Sequence, residues 1–417
     1  MAAFAYANGQ LGAEGVPLSE VARRYGTPCY VYSRAAIEQQ WRAFDQAFGT
    51  RAHLICYAVK ANSNIAILNI LARLGSGFDI VSIGEFERVL RAGGDPRKVV
   101  FSGVGKRGDE IQRALEAGIM CFNVESAAEL EQIDRIAAAT GKRAPVSLRV
   151  NPDIDVDTHP YIATGLRENK FGIPYENAQA LCERAAAMTH IQIIGIDCHI
   201  GSQITVLTPF IDALQRLRAL IEQLEGKGIS LRHVDVGGGL GIKYRDEKPP
   251  AAADYIGAVC DVFSGMNYEL IVEPGRSIVG DAGVLLTRVE YVKKTPHGNF
   301  AIVDAAMNDI LRPSLYDAWH DIVPLTEQSP GAGCDMYDIV GPVCETGDFL
   351  GRDRKLSLAA GEVLAVCAAG AYGFCMSSNY NSRPRACEVM LDRGNIHEIR
   401  RRENIDELMT GESLLPL

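Results

Sequence analysis

The sequence predicts an α/β protein in which a TIM-type (β/α)8 barrel precedes a mostly β domain. Eight short runs rich in Val and Ile occur between residues 53 and 272, and a helical pattern follows each of the first seven. Glycine and polar residues cluster just after several of these runs. Beyond Arg276 the alternation stops, and strand-like runs succeed one another without helices of comparable length. This order of patterns is typical of a barrel followed by a second domain.

Ahead of the barrel, a helical pattern covers Leu18–Arg24 and a strand-like run covers Cys29–Ser33. Ser33 is a candidate N-cap for a helix over Arg34–Phe48. The predicted barrel strands are His53–Val59, Phe78–Val81, Val99–Ser102, Met120–Val124, Val146–Val150, Ile191–His199, Leu231–Val236 and Glu269–Val272. The predicted helices between them are Ile65–Leu74, Gly84–Ala92, Glu110–Ala117, Ala127–Ala139, Glu176–Ala187, Pro209–Glu225 and Ala252–Phe263. Such apolar runs suit parallel strands that are buried on both faces.

The positions of unusual residues favour a closed barrel over the competing architecture, a doubly wound open sheet. The carboxyl ends of the first, sixth, seventh and eighth predicted strands carry Lys60, His199, Gly237–Gly239 and Glu273–Arg276, respectively. In a closed barrel the carboxyl ends of all strands meet at one mouth, and phosphate sites commonly follow strands seven and eight. The glycine run falls at that place, so we expect these residues to share one site.

The remainder of the chain predicts a β domain, barrel-like or sandwich-like. Its strand-like runs are Val284–Val292, Phe300–Val303, Tyr337–Val343, Val363–Ala368 and Glu388–Leu391. Turn-forming residues such as Pro296-His-Gly298 separate them. We therefore assign residues 30–275 to the barrel domain and residues 276–417 to the β domain, with residues 1–29 contributing to the latter.

Composition limits the possible functions. The chain has 417 residues and a net charge of -10, which argues against a general nucleic-acid binder. No apolar run approaches the roughly 18 residues of a membrane span, and the N-terminus lacks a secretory pattern. The 11 cysteines include no C-x-x-C pair, which favours a reducing cytoplasm and predicts neither a disulfide framework nor a metal site.

Lys60 closes a buried run in Tyr57-Ala-Val-Lys60-Ala-Asn62. An ammonium in that position must reach water or serve a chemical purpose, and an isolated lysine usually just marks the surface end of a strand. The residues after strands six, seven and eight change that interpretation. Together they predict a pyridoxal 5'-phosphate site in which Lys60 is the Schiff-base lysine.

The other candidate cofactor contacts each have an ordinary alternative. A glycine-rich turn is often only flexible, but Gly237, Gly238 and Gly239 offer backbone N–H groups that no Cβ shields from a phosphate. Ser202 is a candidate further donor. His199, taken alone, would be a core histidine, whereas in this site it can stack on the cofactor ring.

Glu273 and Arg276 flank a rigid Pro274-Gly275 corner. They could form an ion pair at a domain junction. In a cofactor site, Glu273 would keep the pyridine nitrogen protonated, so that the ring accepts electrons from the α-carbon. Arg276 would then face a substrate carboxylate.

A second group of candidates lies in the predicted β domain. Arg312 and Tyr316 suit a carboxylate, and Tyr372 offers a hydroxyl to phosphate or substrate. An unperturbed thiol has a pKa of about 8.5 and is mostly protonated near neutral pH. Cys344 is the candidate thiol for the role of an acid. Two arginines suit a distal carboxylate, and Glu345 suits a distal ammonium, which together describe an amino-acid head.

Six motifs in combination carry a resemblance. They are YAVKAN, HIGSQI, VGGGLGI, EPGR, MNDILRPSLY and GPVCETGD, and the likeness runs from Tyr25–Tyr32 to Gly370–Gly373. The chain resembles the diaminopimelate decarboxylase family, in the alanine-racemase-like fold group of pyridoxal enzymes that also holds the eukaryotic-type ornithine decarboxylases.

The resemblance implies roles for matching residues. Lys60 would hold the cofactor, His199 would stack on it, and Gly237–Gly239 with Glu273, Gly275 and Arg276 would bind it. Cys344 would donate a proton. The substrate contacts would be Arg276, Arg312, Tyr316, Glu345 and Tyr372, with Tyr372 also near the phosphate. The family completes its site across a homodimer, so Cys344 and Glu345 would come from the partner chain.

The expected reaction is α-decarboxylation of meso-2,6-diaminopimelate to L-lysine and CO2, the last step of lysine biosynthesis. One alternative is a related decarboxylase acting on ornithine, lysine, or a carrier-bound or polyamine-type substrate. A further alternative is a non-catalytic, regulatory pyridoxal-binding protein. Such a protein would be expected to have lost the lysine or the cysteine, whereas Lys60 and Cys344 are both present. Glu273 and the Cys344-Glu345 pair argue against a racemase.

Overall fold

The computed structural model describes residues 3–154, 170–328 and 333–416. The chain divides into two compact units. The barrel unit comprises residues 38–243 and 247–278, and the β unit comprises residues 1–37, 244–246 and 279–417. Among the described residues, no helix has both the length and the apolar character required to cross a membrane.

The N-terminal segment forms a small antiparallel sheet and the first helices. Its elements are β1 (Ala5–Ala7), β2 (Gln10–Ala13), β3 (Val16–Pro17), α1 (Leu18–Tyr25), β4 (Cys29–Ser33) and α2 (Arg34–Phe48). The Ser33 hydroxyl accepts a hydrogen bond from the Ala36 N–H at 3.2 Å, so the predicted cap of α2 is confirmed.

The barrel unit alternates strands and helices. Its elements are β5 (His53–Ala58), α3 (Ile65–Leu74), β6 (Gly77–Ile80), α4 (Ile83–Arg91), β7 (Val99–Phe101), α5 (Gly108–Ala117), β8 (Cys121–Val124), α6 (Ala127–Thr140), β9 (Ala144–Asn151), β10 (Ile173–Pro174), α7 (Tyr175–Ala187), β11 (Ile191–Asp197), α8 (Thr208–Gly226), β12 (His233–Asp235), α9 (Ala252–Val262), β13 (Glu269–Val272) and, at its edge, α10 (Arg276–Val279). All eight predicted barrel strands are present, mostly one to three residues shorter than predicted.

The eight strands close into a ring. Parallel pairing runs from β5 through β6, β7, β8, β9, β11, β12 and β13, and β13 pairs with β5 through Leu270 and His53. The predicted closed barrel is therefore confirmed, and the open sheet is excluded. Strands such as β7 are buried along their whole length. Cys56, Val100 and Ile271 pack together in one apolar cluster.

Local signals fix where the barrel helices begin and end. Ser82 accepts a hydrogen bond from the Glu85 N–H, and Ser126 accepts one from the Glu129 N–H, each at 3.2 Å. These serines cap α4 and α6. Gly141 ends α6 in the left-handed region, with a φ of 65°. The two serine caps follow β6 and β8, so they fix the turns that leave the carboxyl ends of these strands.

The β unit is built on a second, mainly antiparallel sheet. Its later elements are β14 (Gly283–Thr295), β15 (Gly298–Val303), α11 (Arg312–Tyr316), β16 (Ile322–Pro324), β17 (Asp335–Val340), β18 (Phe349–Leu356), β19 (Val363–Val366), β20 (Cys387–Asp392), β21 (Asn395–Arg400) and α12 (Ile405–Leu408). The strand order is β18-β17-β15-β14-β4-β20-β21, and β19 pairs with β14 and with β16.

The N-terminal strand β4 lies inside this sheet, between β14 and β20. It pairs antiparallel with β14 and parallel with β20. All five of its residues are buried, which accounts for their apolar and aromatic character. Strands β18 and β21 were not predicted, because exposed charged residues such as Arg352 and Glu398 interrupt their apolar pattern.

Candidate active site

Lys60 lies two residues beyond β5, in the short 3-10 turn Val59–Ala61. The Tyr57 hydroxyl braces this turn by donating to the Asn62 carbonyl at 3.0 Å. The Lys60 ammonium contacts the carboxylate of Asp79, which belongs to β6 and is fully buried. About a third of the Lys60 side chain stays exposed (34%). The amine is thus anchored by a buried anion while its surface is open to a ligand.

His199 follows β11 and is held by the backbone of the next strand end. The Gly238 N–H donates to Nδ1 at 3.1 Å, so Nδ1 carries the lone pair and the ring proton sits on Nε2. Loss of solvent lowers the pKa of His199 well below its usual range, and the charges of Arg149 and Lys60 lower it further. The imidazole is neutral, with an aromatic face suited to stacking.

The glycine run after β12 has no room for side chains. Gly237 and Gly239 have φ values of 69° and 110°, in the region that favours glycine. A Cβ on either would lie 2.6 Å and 2.5 Å, respectively, from a backbone carbonyl oxygen. A Cβ on Gly238 would overlap the carbonyl of Glu273. The segment is therefore bare backbone at the barrel mouth, which is the property an anion cradle needs.

A buried cluster of carboxyl groups lies at the ends of β11, β12 and β13. Asp197, Asp235 and Glu273 each bring a carboxylate oxygen within 4.8 Å of the others. Asp235 accepts a hydrogen bond from the Gly237 N–H at 2.9 Å, and Asn123 donates to Glu273 at 3.4 Å. Within the described residues, Oδ1 of Asp197 and Oδ2 of Asp235 have no hydrogen-bond partner.

This cluster shifts the protonation of its own members. Burial raises the pKa of Glu273 well above its usual range, and the charges of Asp235, Asp79 and Asp197 raise it further, while Lys60 opposes them. Burial likewise raises the pKa of Asp235, to about 6. Like charges at such distances cannot all be ionised. The cluster therefore retains protons near neutral pH and can hold one at Glu273.

Arg276 follows Glu273 across the predicted Pro274-Gly275 corner. A Cβ on Gly275 would lie 2.9 Å from the Cβ of Ala61, so the corner packs tightly against the Lys60 turn. The Arg276 guanidinium is buried and donates to the Ser202 hydroxyl at 2.9 Å. Ser202 was predicted as a phosphate donor, and here its oxygen also accepts from Arg276.

Arg312 begins the single-turn helix α11 of the β unit and is buried. Its Nη1 donates to Nε2 of His320 at 2.8 Å. Its guanidinium lies over the Tyr244 ring, 4.4 Å from the ring centre. Tyr316 ends the same helix. The helix thus presents a planar cation and a phenol four residues apart.

Cys344 and Glu345 lie in the connection between β17 and β18, and Cys344 is exposed. The Cys344 N–H donates to Oδ1 of Asn381 at 3.0 Å. The Tyr380 hydroxyl donates to Oε2 of Glu345 at 2.8 Å. Two neighbouring residues of one segment therefore hold the Cys344 backbone and the Glu345 carboxylate.

Tyr372 lies after β19 with a φ of 54°, a conformation that is uncommon for a tyrosine. The segment before it is tightly fixed, because the Ala369 N–H donates to the Gly283 carbonyl at 2.8 Å and the Gly370 N–H to the Gly280 carbonyl at 3.0 Å. The backbone around Tyr372 is therefore preset, as expected of a residue with a positioning task.

The predicted site residues fall into two groups. The barrel unit brings one group together at the carboxyl ends of its strands: Lys60, His199, Ser202, Gly237, Gly238, Gly239, Glu273, Gly275 and Arg276. The β unit carries the other group: Arg312, Tyr316, Cys344, Glu345 and Tyr372.

The chain is similar to known pyridoxal-dependent decarboxylases. Residues 34–280 match the family model described as pyridoxal-dependent decarboxylase, pyridoxal binding domain. The diaminopimelate decarboxylase of Pseudomonas aeruginosa is 62% identical over 416 residues, covering 100% of both chains. That of Haemophilus influenzae is 55% identical, covering 99% of both.

The chain belongs to the diaminopimelate decarboxylase family. It is a pyridoxal-phosphate-dependent carboxy-lyase. Among solved structures, the diaminopimelate decarboxylase of Helicobacter pylori complexed with L-lysine is similar with a TM-score of 0.91 and 44% identity, over 94% of this chain and 98% of that one. The enzyme of M. jannaschii in co-complex with L-lysine gives a TM-score of 0.94 and 36% identity, over 99% and 98%.

For this family member, sequence reasoning missed the buried acids. Asp79, Asp197 and Asp235 were read only as parts of strands, although an aspartate inside an apolar run is itself a signal. Arg149 was missed too, and its Nη1 donates to Glu125 at 3.1 Å within the barrel. These charges control the protonation of the site.

It also missed the residues that orient the β-unit group. Tyr244, His320, Tyr380 and Asn381 stand in no recognised motif, and they reach their partners across gaps of 8 to 68 residues. No local spacing could have identified them. These residues do not share a degree of burial either, since His320 is fully buried and Tyr380 is 45% exposed, so a burial pattern would not have identified them.

Proposed function

We infer that this chain catalyses the decarboxylation of meso-2,6-diaminopimelate to L-lysine and CO2, the closing step of lysine biosynthesis. The observation that carries the inference is the group of residues at the mouth of the closed barrel, found in a chain that matches diaminopimelate decarboxylases from end to end. The structures of the Helicobacter pylori and M. jannaschii relatives are complexes with L-lysine, which is the expected product.

The residues at the barrel mouth fit pyridoxal phosphate. Gly237, Gly238 and Gly239 form a stretch of backbone in which any Cβ would clash, so a phosphate could approach it closely. Asp235 and His199 accept from the Gly237 and Gly238 N–H groups, so these two glycines would serve by close approach and Gly239 would donate. Lys60 would hold the cofactor covalently, and neutral His199 would stack on its ring. Gly275 would keep the backbone close beside it, and Ser202 would contribute a hydroxyl to the phosphate. When bound, the cofactor accepts the electron pair that loss of CO2 leaves at the substrate α-carbon.

Protein groups hold the protons that this chemistry requires. Glu273, whose pKa is raised by burial and by neighbouring carboxylates, would keep a proton at the pyridine nitrogen when the cofactor is bound. Asp79 stabilises the Lys60 ammonium. The Cys344 thiol would deliver a proton to the α-carbon after CO2 has left. The proposal therefore assigns one proton to Glu273, one to the Lys60 amine and one to the Cys344 thiol.

Substrate choice would depend on the charged residues of the β unit together with Arg276. Arg312, with Tyr316, would bind the distal carboxylate, and Glu345 would bind the distal ammonium. Arg276 and Tyr372 would complete the contacts, Tyr372 also near the phosphate. Ornithine has only an ammonium at its far end, which an arginine repels. This charge pattern supports diaminopimelate over a simple diamine precursor.

We extend the proposal to assembly, domain roles and location. Cys344 and Glu345 would act in the site of a partner chain, so the active form would be a homodimer. Residues 30–275 would bind the cofactor, while residues 276–417, with 1–29, would supply proton donor and substrate contacts. Within the described residues, which include all 11 cysteines, every thiol is free, and this supports a reducing cytoplasm.

Product analysis tests the reaction. Purified protein reconstituted with pyridoxal phosphate is given meso-diaminopimelate, ornithine or L-lysine in parallel. We expect L-lysine and CO2 from diaminopimelate and no amine product from the other two. Turnover of ornithine with none of diaminopimelate would transfer the function to another substrate and would mean that Arg312 and Glu345 had been misread. Sedimentation of the active protein at half its dimer mass would contradict the homodimer.

A further inference from the structure

We propose that His320 is a positioning residue for substrate selection: it orients Arg312 so that the guanidinium accepts a carboxylate of the substrate's distal head. The proposal rests on the proposed function, in which Arg312 binds that carboxylate. It goes further by assigning a fully buried histidine, outside every recognised motif, to the choice between amino-acid heads and simple amines.

The hydrogen bonds around His320 determine its tautomer. Arginine can only donate, so Nε2 of His320 accepts from Nη1 of Arg312 at 2.8 Å. On the opposite side of the ring, Nδ1 lies 2.8 Å from the Cys367 carbonyl oxygen, which can only accept. The proton therefore sits on Nδ1 and the lone pair on Nε2. The ring is neutral and points its one acceptor at the arginine.

The backbone holds this ring in place. The Cys367 N–H donates to the Asp321 carbonyl at 2.8 Å, next to the bond that the Cys367 carbonyl accepts from His320. The Trp319 indole N–H donates to the Asp321 carboxylate at 2.7 Å. Strand β16, which starts at Ile322, then pairs with β19. The histidine is thus attached to a sheet, a firmer support than a loop.

Tyr244 provides the second constraint on Arg312. Its ring lies 4.4 Å from the Arg312 guanidinium and 5.2 Å from the His320 ring, to which it is inclined by 76°. A stacked aromatic fixes the plane of a guanidinium, and a hydrogen bond to Nη1 fixes its rotation within that plane. A bidentate contact with a carboxylate needs both to be set beforehand.

Two ligands that differ by one carboxylate provide the test. L-lysine keeps the carboxylate that decarboxylation leaves behind, whereas 1,5-diaminopentane has none. In the His320→Leu holoenzyme we expect the KM for meso-diaminopimelate and the inhibition constant of L-lysine to rise at least about tenfold. The inhibition constant of 1,5-diaminopentane should stay within about twofold. Equal changes for both inhibitors, or no change for either, would overturn the proposal.

Two further variants control for structure. His320→Gln keeps an acceptor near Nε2 and should restore most of the L-lysine affinity; failure to do so would count against the hydrogen bond. His297→Leu alters an exposed histidine of the same unit and should leave both inhibition constants unchanged. Cofactor absorbance of each variant reports on its folding.

A measurement on the unaltered protein does not depend on variants folding. Long-range 15N–1H spectra of histidine-labelled holoenzyme, with the His320 signals identified by their loss in His320→Gln, should show a neutral ring protonated at Nδ1. Protonation at Nε2 would overturn the proposal. If the unaltered enzyme failed to decarboxylate diaminopimelate, the proposed function would fail instead, and the tautomer would still report on the bond between His320 and Arg312.

Discussion

The two groups of site residues differ in how their surroundings treat charge. In the barrel unit, Asp79, Asp197, Asp235 and Glu273 are buried, and burial raises the pKa of the last three. In the β unit, Cys344 is exposed and lies in a connection between strands. The barrel therefore sets protonation states through desolvation, whereas the β unit sets orientation through individual hydrogen bonds. Changes in the barrel should affect chemistry and pH behaviour, and changes in the β unit should affect affinity and proton delivery.

The largest expected effect is at Lys60. Lys60→Ala removes the covalent anchor and should lower kcat for diaminopimelate by about 10³-fold or more. Loss of the cofactor's bound absorbance should accompany it. Lys98→Ala, which alters the last residue of the 3-10 turn Pro96–Lys98, is the matched control and should keep wild-type turnover. Appreciable activity in Lys60→Ala would show that Lys60 is not the residue that binds the cofactor covalently for catalysis.

Cys344 comes next. Cys344→Ala should lower kcat by about 10²–10⁴-fold, the usual contribution of a positioned proton donor, while KM changes little. The matched control is Cys334→Ala, another exposed cysteine of the β unit. Single-turnover kinetics separates proton delivery from binding. A rise in KM with kcat intact would instead make Cys344 a binding residue.

A variant of Asp235 tests whether burial sets the protonation of carboxyl groups in the barrel unit. Burial raises its pKa to about 6, so it binds a proton more tightly in the folded chain than in the unfolded one. Its stabilising contribution is complete below the unfolded pKa of about 4 and is lost as the pH rises through 4 to 6. In Asp235→Asn the side chain does not ionise, so this stability is not lost as the pH rises. The asparagine amide oxygen can still accept a hydrogen bond from the Gly237 N–H.

We therefore expect Asp235→Asn to raise the free energy of unfolding by about 1–2 kcal/mol at pH 7.5, and by less at pH 5. Urea unfolding at both pH values measures the difference. Asp212→Asn, at an exposed position of α8, should give no pH-dependent gain. An equal gain at both pH values would mean that the effect does not arise from ionisation of Asp235.

The smallest expected effect is at Tyr380. Tyr380→Phe removes the hydrogen bond to Glu345 and should raise the KM for diaminopimelate by about two- to tenfold, with kcat unchanged. Tyr291→Phe, at a tyrosine that is 68% exposed in the same unit, is the control. A fall in kcat at constant KM would show that Tyr380 acts on the chemistry instead of orienting Glu345.

The sequence by itself determined the eight barrel strands and the glycines after β12. Short runs of Val and Ile and the local caps are encoded within a few residues, and the run Gly237–Gly239 can be read directly from the sequence. The resemblance also identified the family and the cofactor. These features needed no long-range information.

Only the tertiary structure decided the rest. The pairing of β13 with β5 closes the barrel, and β4 enters a sheet whose other strands lie more than 250 residues away. The shared protonation of Asp197, Asp235 and Glu273, like the bond from Arg312 to His320, exists because folding removes water and brings distant polar atoms within hydrogen-bonding range. Sequence patterns record which residues are buried, but the energy of a buried charge depends on which partners the fold places around it.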